Sequence, residues 1–272
     1  MAFLPLVLGA SIAAAPLPQP VQAAPMVRQH PALWVVNDND TIIYLFGTFH
    51  ALDGKSDWFE QAVKTAFSAS DQLMLETLIP EPMRAPGDAA RPNFPFSGQP
   101  GPMVQLAPSA SSMLASSKTV MNAGRSEGMS TDRGADAVLR TAAETVGKPV
   151  GGLESFQFQL NMFSTLQDTP EAKAPDSAGM RALAMVLGQL QAAWNRGDID
   201  SFAPLLRQMQ AQSPKTYQTM FVERNTRWAQ WIANRLQTPG TVFVAVGAGH
   251  LSGPDSVQKQ LASIGVKSAR IN

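Results

Sequence analysis

Short apolar runs lie near both ends of the chain, and apolar residues at helical spacing fill the middle. Leu33-Trp34-Val35-Val36 and the run Thr41 to Phe46 flank Asn37-Asp38-Asn39-Asp40, which predicts a β-hairpin with turn-forming residues at its tip. Trp58, Phe59, Ala62, Val63, Ala66 and Phe67 recur three and four residues apart and predict a helix over 58–70. Gln72 to Glu76 then reads as a buried strand. Strand, helix, strand in this order predicts a crossover in a partly parallel sheet. From Ile79 to about Ser130 the periodicity gives way to a stretch rich in Pro, Gly and Ser, read as a lid, a binding loop or plain disorder, with disorder and some short helix the commoner outcome for such a stretch. Helical spacing returns over 131–146, and a short strand after Lys148 ends on Glu154. Helices dominate from Phe156 to Leu236, with breaks near Pro170, Gly197 and Pro214. The last unit is a strand over 241–246, a helix from Asp255 to Ile264 and a closing strand from Lys267 to Ile271. The expectation is an α/β (α+β) fold: one domain over 32–272, its mixed sheet built from the N- and C-terminal segments, with the helical middle packed as an insertion or lid.

The first residues follow a different rule. Met1 to Ala15 is apolar and small, Pro16, Pro18 and Pro20 follow, and Val21-Gln22-Ala23 resembles a signal-peptidase site. Residues 1–23 are read as a secretory signal and 24–31 as a linker. The apolar run falls short of the roughly 20 residues that span a bilayer, and no later segment is a transmembrane candidate. The chain has no cysteine, which removes thiolate catalysis, disulfides and cysteine zinc sites together. A periplasmic or secreted address fits these features. Lys and Arg number 21 against 21 Asp and Glu, so no basic surface argues for nucleic acid.

Chemistry concentrates in two tetrapeptides, Gly47-Thr48-Phe49-His50 and Gly247-Ala248-Gly249-His250, which hold two of the three histidines. Each follows a predicted strand. Glycine allows a sharp exit and a close backbone approach there, and imidazole serves as a near-neutral acid or base or as a metal ligand. Glu76 and Glu154 end two further strands. Sites in open α/β sheets form beyond the carboxyl ends of strands, so these four residues point at one region if the strands run parallel. On the helix predicted over 216–237, Phe221, Asn225, Trp228 and Ile232 share one stripe. Arg224 flanks that stripe and needs a partner, since an unpaired buried polar group costs about 1–3 kcal/mol; a carboxylate such as Glu76 or Glu154 would supply it. Glu223 and Arg227 are expected to pair with each other on the wet side. His30 is assigned no role. No nucleophile elbow, P-loop or dinucleotide fingerprint is present.

Pro31-Ala32-Leu33-Trp34, Gly47-Thr48-Phe49-His50, Leu153-Glu154-Ser155 with Gln159, Val222-Glu223-Arg224-Asn225 with Trp228, and Val246 to Leu251 together resemble the TraB/GumN/Tiki family. The resemblance covers nearly the whole mature chain. It departs at 79–130, and at Leu78, where many members carry a second acidic residue. It implies a fold shared with erythromycin-esterase-like and haem-uptake ChaN-like proteins, and, from some Tiki members, metal-dependent proteolysis.

The leading functional expectation is an exported metal-dependent hydrolase acting on a peptide or a small envelope-associated substrate. His50, His250 and Glu154 or Glu76 would hold a divalent ion of the manganese, cobalt or zinc type and lower the pKa of a bound water to roughly 7. The remaining carboxylate would act as general base, with Arg224 and Asn225 meeting the developing negative charge. A second reading dispenses with metal and makes His50 the general base of an esterase. A third is a non-catalytic binder of a haem-like ligand or an envelope glycan.

Overall fold

The computed structural model describes residues 30–78, 108–166 and 175–272. The expected signal segment, most of the linker and the Pro-rich run up to residue 107 lie outside the described residues. Two strands open the fold, β1 (Leu33–Asn37) and β2 (Thr41–Thr48), paired antiparallel with Leu33 opposite Phe46. The tip of this hairpin is an Asp-stabilised turn: the Asp38 carboxylate accepts from the backbone N–H groups of Asp40 and Thr41 at 3.2 and 2.9 Å. Helix α1 (Gln61–Ala69) and β3 (Gln72–Thr77) follow.

The middle of the chain is helical: α2 (Pro108–Ser126), α3 (Ala135–Thr145), α4 (Phe156–Thr165), α5 (Ser177–Asn195) and α6 (Ala203–Gln212), with the short strand β4 (Val150–Glu154) between α3 and α4. Helix α7 (Pro214–Tyr217) continues through a π turn over Gln218–Val222 into α8 (Glu223–Arg235). The chain ends with β5 (Gly240–Gly247), α9 (Val257–Ser263) and a two-residue strand β6 (Ala269–Arg270).

The six strands form one sheet in the order β4-β3-β5-β2-β1-β6. From β4 to β2 all pairings are parallel, and the hairpin partner β1 turns the far side antiparallel. The expected mixed sheet drawn from both termini is therefore present, with β5 inserted between β2 and β3. Period-two alternation on β2 and β5 divides the core. Phe46, Phe243 and Ala245 face a layer with Trp58, Phe67, Leu139 and Trp194, while Ile43, Leu45, Val242, Val244 and Val246 face Trp228, Ile232, Val257 and Leu261. The sheet is covered on both sides, and its carboxyl-end rim is left for chemistry.

Two expectations change. The stretch expected to be irregular to Ser130 is helical over Pro108–Ser126, because past Pro108 it holds no further proline and only one glycine, Gly124 near its end, among Ala, Ser, Met and Leu residues. The helix expected from Thr131 starts at Ala135. Thr131–Arg133 forms a separate 3-10 turn, begun where the Ser130 hydroxyl accepts from the Asp132 N–H. Among the described residues no helix is long and apolar enough to cross a membrane.

Candidate active site at the strand ends

The two Gly-x-x-His segments are neighbours because β2 and β5 pair in parallel, with Thr48 opposite Gly247. Their glycines interlock. A methyl group at Gly47 would lie 3.3 Å from both the Ala248 Cα and the Leu251 side chain. One at Gly247 would lie 3.1 Å from Glu76 Oε1 and 3.2 Å from His50 Nε2. Each glycine is thus the space that the other motif occupies. The buried indole of Trp194 fastens the first motif by donating to the Gly47 carbonyl at 2.7 Å.

His50 stands at the open edge, with its side chain 65% exposed. Its Nδ1 lies 2.7 Å from Asp136 Oδ2, and Asp136 Oδ1 accepts the Thr48 hydroxyl at 2.8 Å. Attraction to Asp136, opposed by partial desolvation, raises the imidazole pKa to about 9. Asp136 arrives from the first turn of α3, whose Ala135 N–H donates to the Phe49 carbonyl at 3.0 Å. Sequence reasoning placed this helix but missed Asp136, since nothing in the spacing separates it from Asp132. The signal was Gly134: a methyl group there would come within 2.1 Å of the His50 carbonyl oxygen, so the helix start is pressed against the motif.

Behind His50 lies a buried ionic cluster centred on Arg224, which is 3% exposed. Its guanidinium donates to Glu76 Oε2 at 2.7 Å and to both Glu154 oxygens at 3.0 and 3.1 Å. Glu76 also accepts the Gly247 N–H at 2.7 Å. Burial pushes the Glu76 carboxyl up, but Arg224, the histidines and the Gly247 N–H outweigh it, and the pKa ends far below the usual carboxylate range. The expected Glu223 to Arg227 pair is replaced. Arg227 reaches Glu154 Oε1 at 3.4 Å and stacks its guanidinium 4.5 Å above the Phe158 ring, where burying its stem covers apolar surface.

His250 is 6% exposed, in a 3-10 turn at the end of β5. The Asn225 amide donates to the Asp255 carbonyl at 2.7 Å, so its Oδ1 faces His250 Nδ1, also at 2.7 Å. That network assigns the proton to Nδ1 and leaves Nε2 to accept from Arg224 at 3.2 Å. Burial pushes this imidazole down, and Arg224 and His50 add to it against the pull of Glu76, so its pKa falls to about 3.

His50, Glu76, Glu154, Arg224, Asn225 and His250 therefore meet at one rim, as the strand-end argument required. Their arrangement differs from the expected one. Among the described residues no group of three or more His, Asp and Glu side chains is placed to hold a metal ion. In the expected trio His50, Glu154 and His250, both Glu154 oxygens and His250 Nε2 already accept from a guanidinium whose charge opposes a cation. As placed, these donors do not fit an ion. Nor is either glutamate free to act as a base, because the carboxylates of both are tied to Arg224. Asn225, 1% exposed, spends its amide on His250 and Asp255 and meets no substrate. Of the charged groups at this rim, His50 and Arg227 reach solvent; on the Glu154 side a cleft of about 620 Å³ is lined by Leu78, Gly152, Glu154, Ser155, Phe156 and Leu160.

No curated protein and no solved structure gives a significant match to the chain. A family profile does, over residues 32–94 and 97–270, a span that includes both Gly-x-x-His motifs, β4 with Glu154 and the Arg224 helix. By that match the chain belongs to the TraB/PrgY/gumN family.

Proposed function

We propose that the chain is an exported hydrolase of acyl bonds in which His50, aimed by Asp136, carries the proton and no metal is required. The observation that carries this reading is the exposed imidazole held at Nδ1 by a carboxylate, with its Nε2 directed over Gly247 at the sheet rim. A histidine oriented by an acidic partner is the recurring arrangement for general acid–base catalysis. In its neutral form Nε2 takes a proton from water as the oxygen attacks the acyl carbon, then returns that proton to the departing alcohol or amine. The buried Glu76–Arg224–Glu154 cluster keeps the rim rigid behind it. The cleft beside Glu154 gives the rest of the substrate a place to lie. Export rests on the apolar segment and cleavage-like sequence of residues 1–23, and the substrate class is a peptide or a small molecule of the cell envelope.

The metal-dependent peptidase reading rests on the family resemblance, and it needs Arg224 to leave His250 and Glu154. One assay separates the two. The mature chain is tested on aryl esters and peptides with chelator and with added manganese, beside His50→Ala and Asp136→Asn. Turnover that survives chelation and falls by about 10²–10⁴ in His50→Ala is expected. Turnover that appears only with manganese, or that is indifferent to His50, overturns the proposal.

A further inference from the structure

We infer that Phe221 is the positioning residue for His250, lifted onto the imidazole by the π turn at Gln218–Val222. A π turn inserts one extra residue into a helix, and such insertions recur at functional sites. Here it sits directly before Arg224 and Asn225, the two residues that hydrogen-bond the His250 ring. Phe221 stacks on that ring at 4.7 Å and 29°, and Tyr217 stacks behind Phe221 at 5.6 Å and 20°. Trp228 also packs against the His250 ring, at 4.6 Å and tilted by 56°, and Arg224 lies 4.6 Å from the Trp228 ring. The result is a continuous ladder of Tyr217, Phe221, His250, Trp228 and Arg224.

Both ends of the ladder are anchored. The Tyr217 hydroxyl donates to Asp255 Oδ2 at 2.8 Å, and the Asp255 carbonyl receives the Asn225 amide. Gly249 supplies the space, because a methyl group there would lie 3.3 Å from Phe221 Cε1. That accounts for the inner glycine of the second motif, which has no counterpart in Gly47-Thr48-Phe49-His50. Hydrogen bonds at Nδ1 and Nε2 choose a tautomer, but they do not by themselves stop the ring from tipping out of their plane. The stacked Phe221 ring does, with the tilted Trp228 ring beside it. Phe221 therefore keeps Nε2 aimed at Arg224 and, 3.8 Å away, Glu76 Oε1.

The effect on turnover rests on the hydrolase reading, while the ring geometry does not, so the test reads both. Nitrogen spectra of ¹⁵N-histidine-labelled protein report the His250 tautomer in wild type, Phe221→Leu and Phe221→Tyr. Phe221→Leu keeps bulk and apolarity but cannot stack. It is expected to show a second His250 signal set and to lose about tenfold in kcat with KM nearly unchanged. Phe221→Tyr retains the stack and the wild-type spectrum. Should Phe221→Leu fail to fold, Gly249→Ala nudges the same ring and gives the same signature in weaker form. A single unchanged signal set in whichever of these two variants folds, or equal disturbance by Phe221→Tyr, overturns the inference. A changed spectrum with unchanged kcat supports the positioning of His250 and shows that turnover does not depend on it.

Discussion

Asp136 Oδ2 lies 2.7 Å from His50 Nδ1, joining the first turn of α3 to the end of β2. Asp136 makes His50 a stronger base that is less often neutral at pH 7, and it orients the ring. If His50 works as the base, its active form is neutral, so kcat/KM rises with pH through the raised pKa, toward about 9. Asp136→Asn removes the attraction, moves that limb to lower pH and lowers the plateau, because the ring is no longer oriented. The measurement is kcat/KM against pH for both proteins; coincident limbs would sink the role of Asp136.

Arg224 lies between the carboxylates of Glu76 and Glu154, whose side chains are 15% and 4% exposed, and among the described residues it is the cation that pairs with both. Arg224→Met leaves both charges without their main partner, and such a loss costs about 3–5 kcal/mol. Arg224→Lys keeps the charge but cannot reach Glu76, Glu154 and His250 together with one ammonium, so it falls between Met and wild type. Urea unfolding midpoints of the three proteins give this order or refute it.

Two glycines separate folding from activity. Gly134→Ala drives a methyl group into the His50 carbonyl, a backbone atom that cannot swing aside, and is expected to cost about 1–3 kcal/mol. Gly247→Ala has side-chain atoms of Glu76 and His50 as its nearest neighbours, at 3.1 Å and beyond. Its stability loss should stay below about 1 kcal/mol while kcat/KM falls clearly. Equal effects of the two substitutions on unfolding would contradict this.

Acid stability follows from His250. Its folded pKa, about 3, lies below its ordinary 6.5, so the unfolded chain binds the extra proton between those values. The stabilisation is complete above pH 6.5 and is lost as pH falls through that window, by up to about 1.4 kcal/mol per unit. Glu76, also lowered, adds its own loss below its ordinary 4.5. His50 acts in the opposite sense. Its raised pKa favours the fold below 6.5, and that benefit fades toward about 9, reduced by the exposure of the ring. Stability should therefore peak near pH 6.5, and His250→Gln should flatten the decline between 6.5 and 4.5. Denaturant midpoints from pH 8 to 4 are the check.

The sheet and the meeting of the six named residues were legible because both follow from local rules. Strand runs ending in Gly or Glu announce their carboxyl ends, and parallel pairing brings those ends together. Arg224 announced its need for a carboxylate by lying beside an apolar stripe. What could not be read was the allocation of partners. Spacing placed Glu154 and His250 at the rim but could not show that one guanidinium would take the atoms expected to bind metal. Asp136 was hidden because its partner is 86 positions away and its own neighbourhood resembles any helix start. The π turn was hidden because its sequence, Gln218 to Val222, fits an ordinary helix equally well.

The place of β5 in the sheet sets the order in which the site comes into being. It is the strand that joins β2 to β3, and among the strands of the sheet only β6 follows it in the sequence. Until it enters, β1–β2 and β3–β4 are two separate pairs with unmatched inner edges. Closing that gap links positions about 200 residues apart, a slow and non-local step. A nascent chain ending before residue 240 thus contains His50, Asp136, Glu76, Glu154 and Arg224 and still has no site. The rim is therefore completed only when β5 pairs with both β2 and β3, and none of those residues can act together before that step.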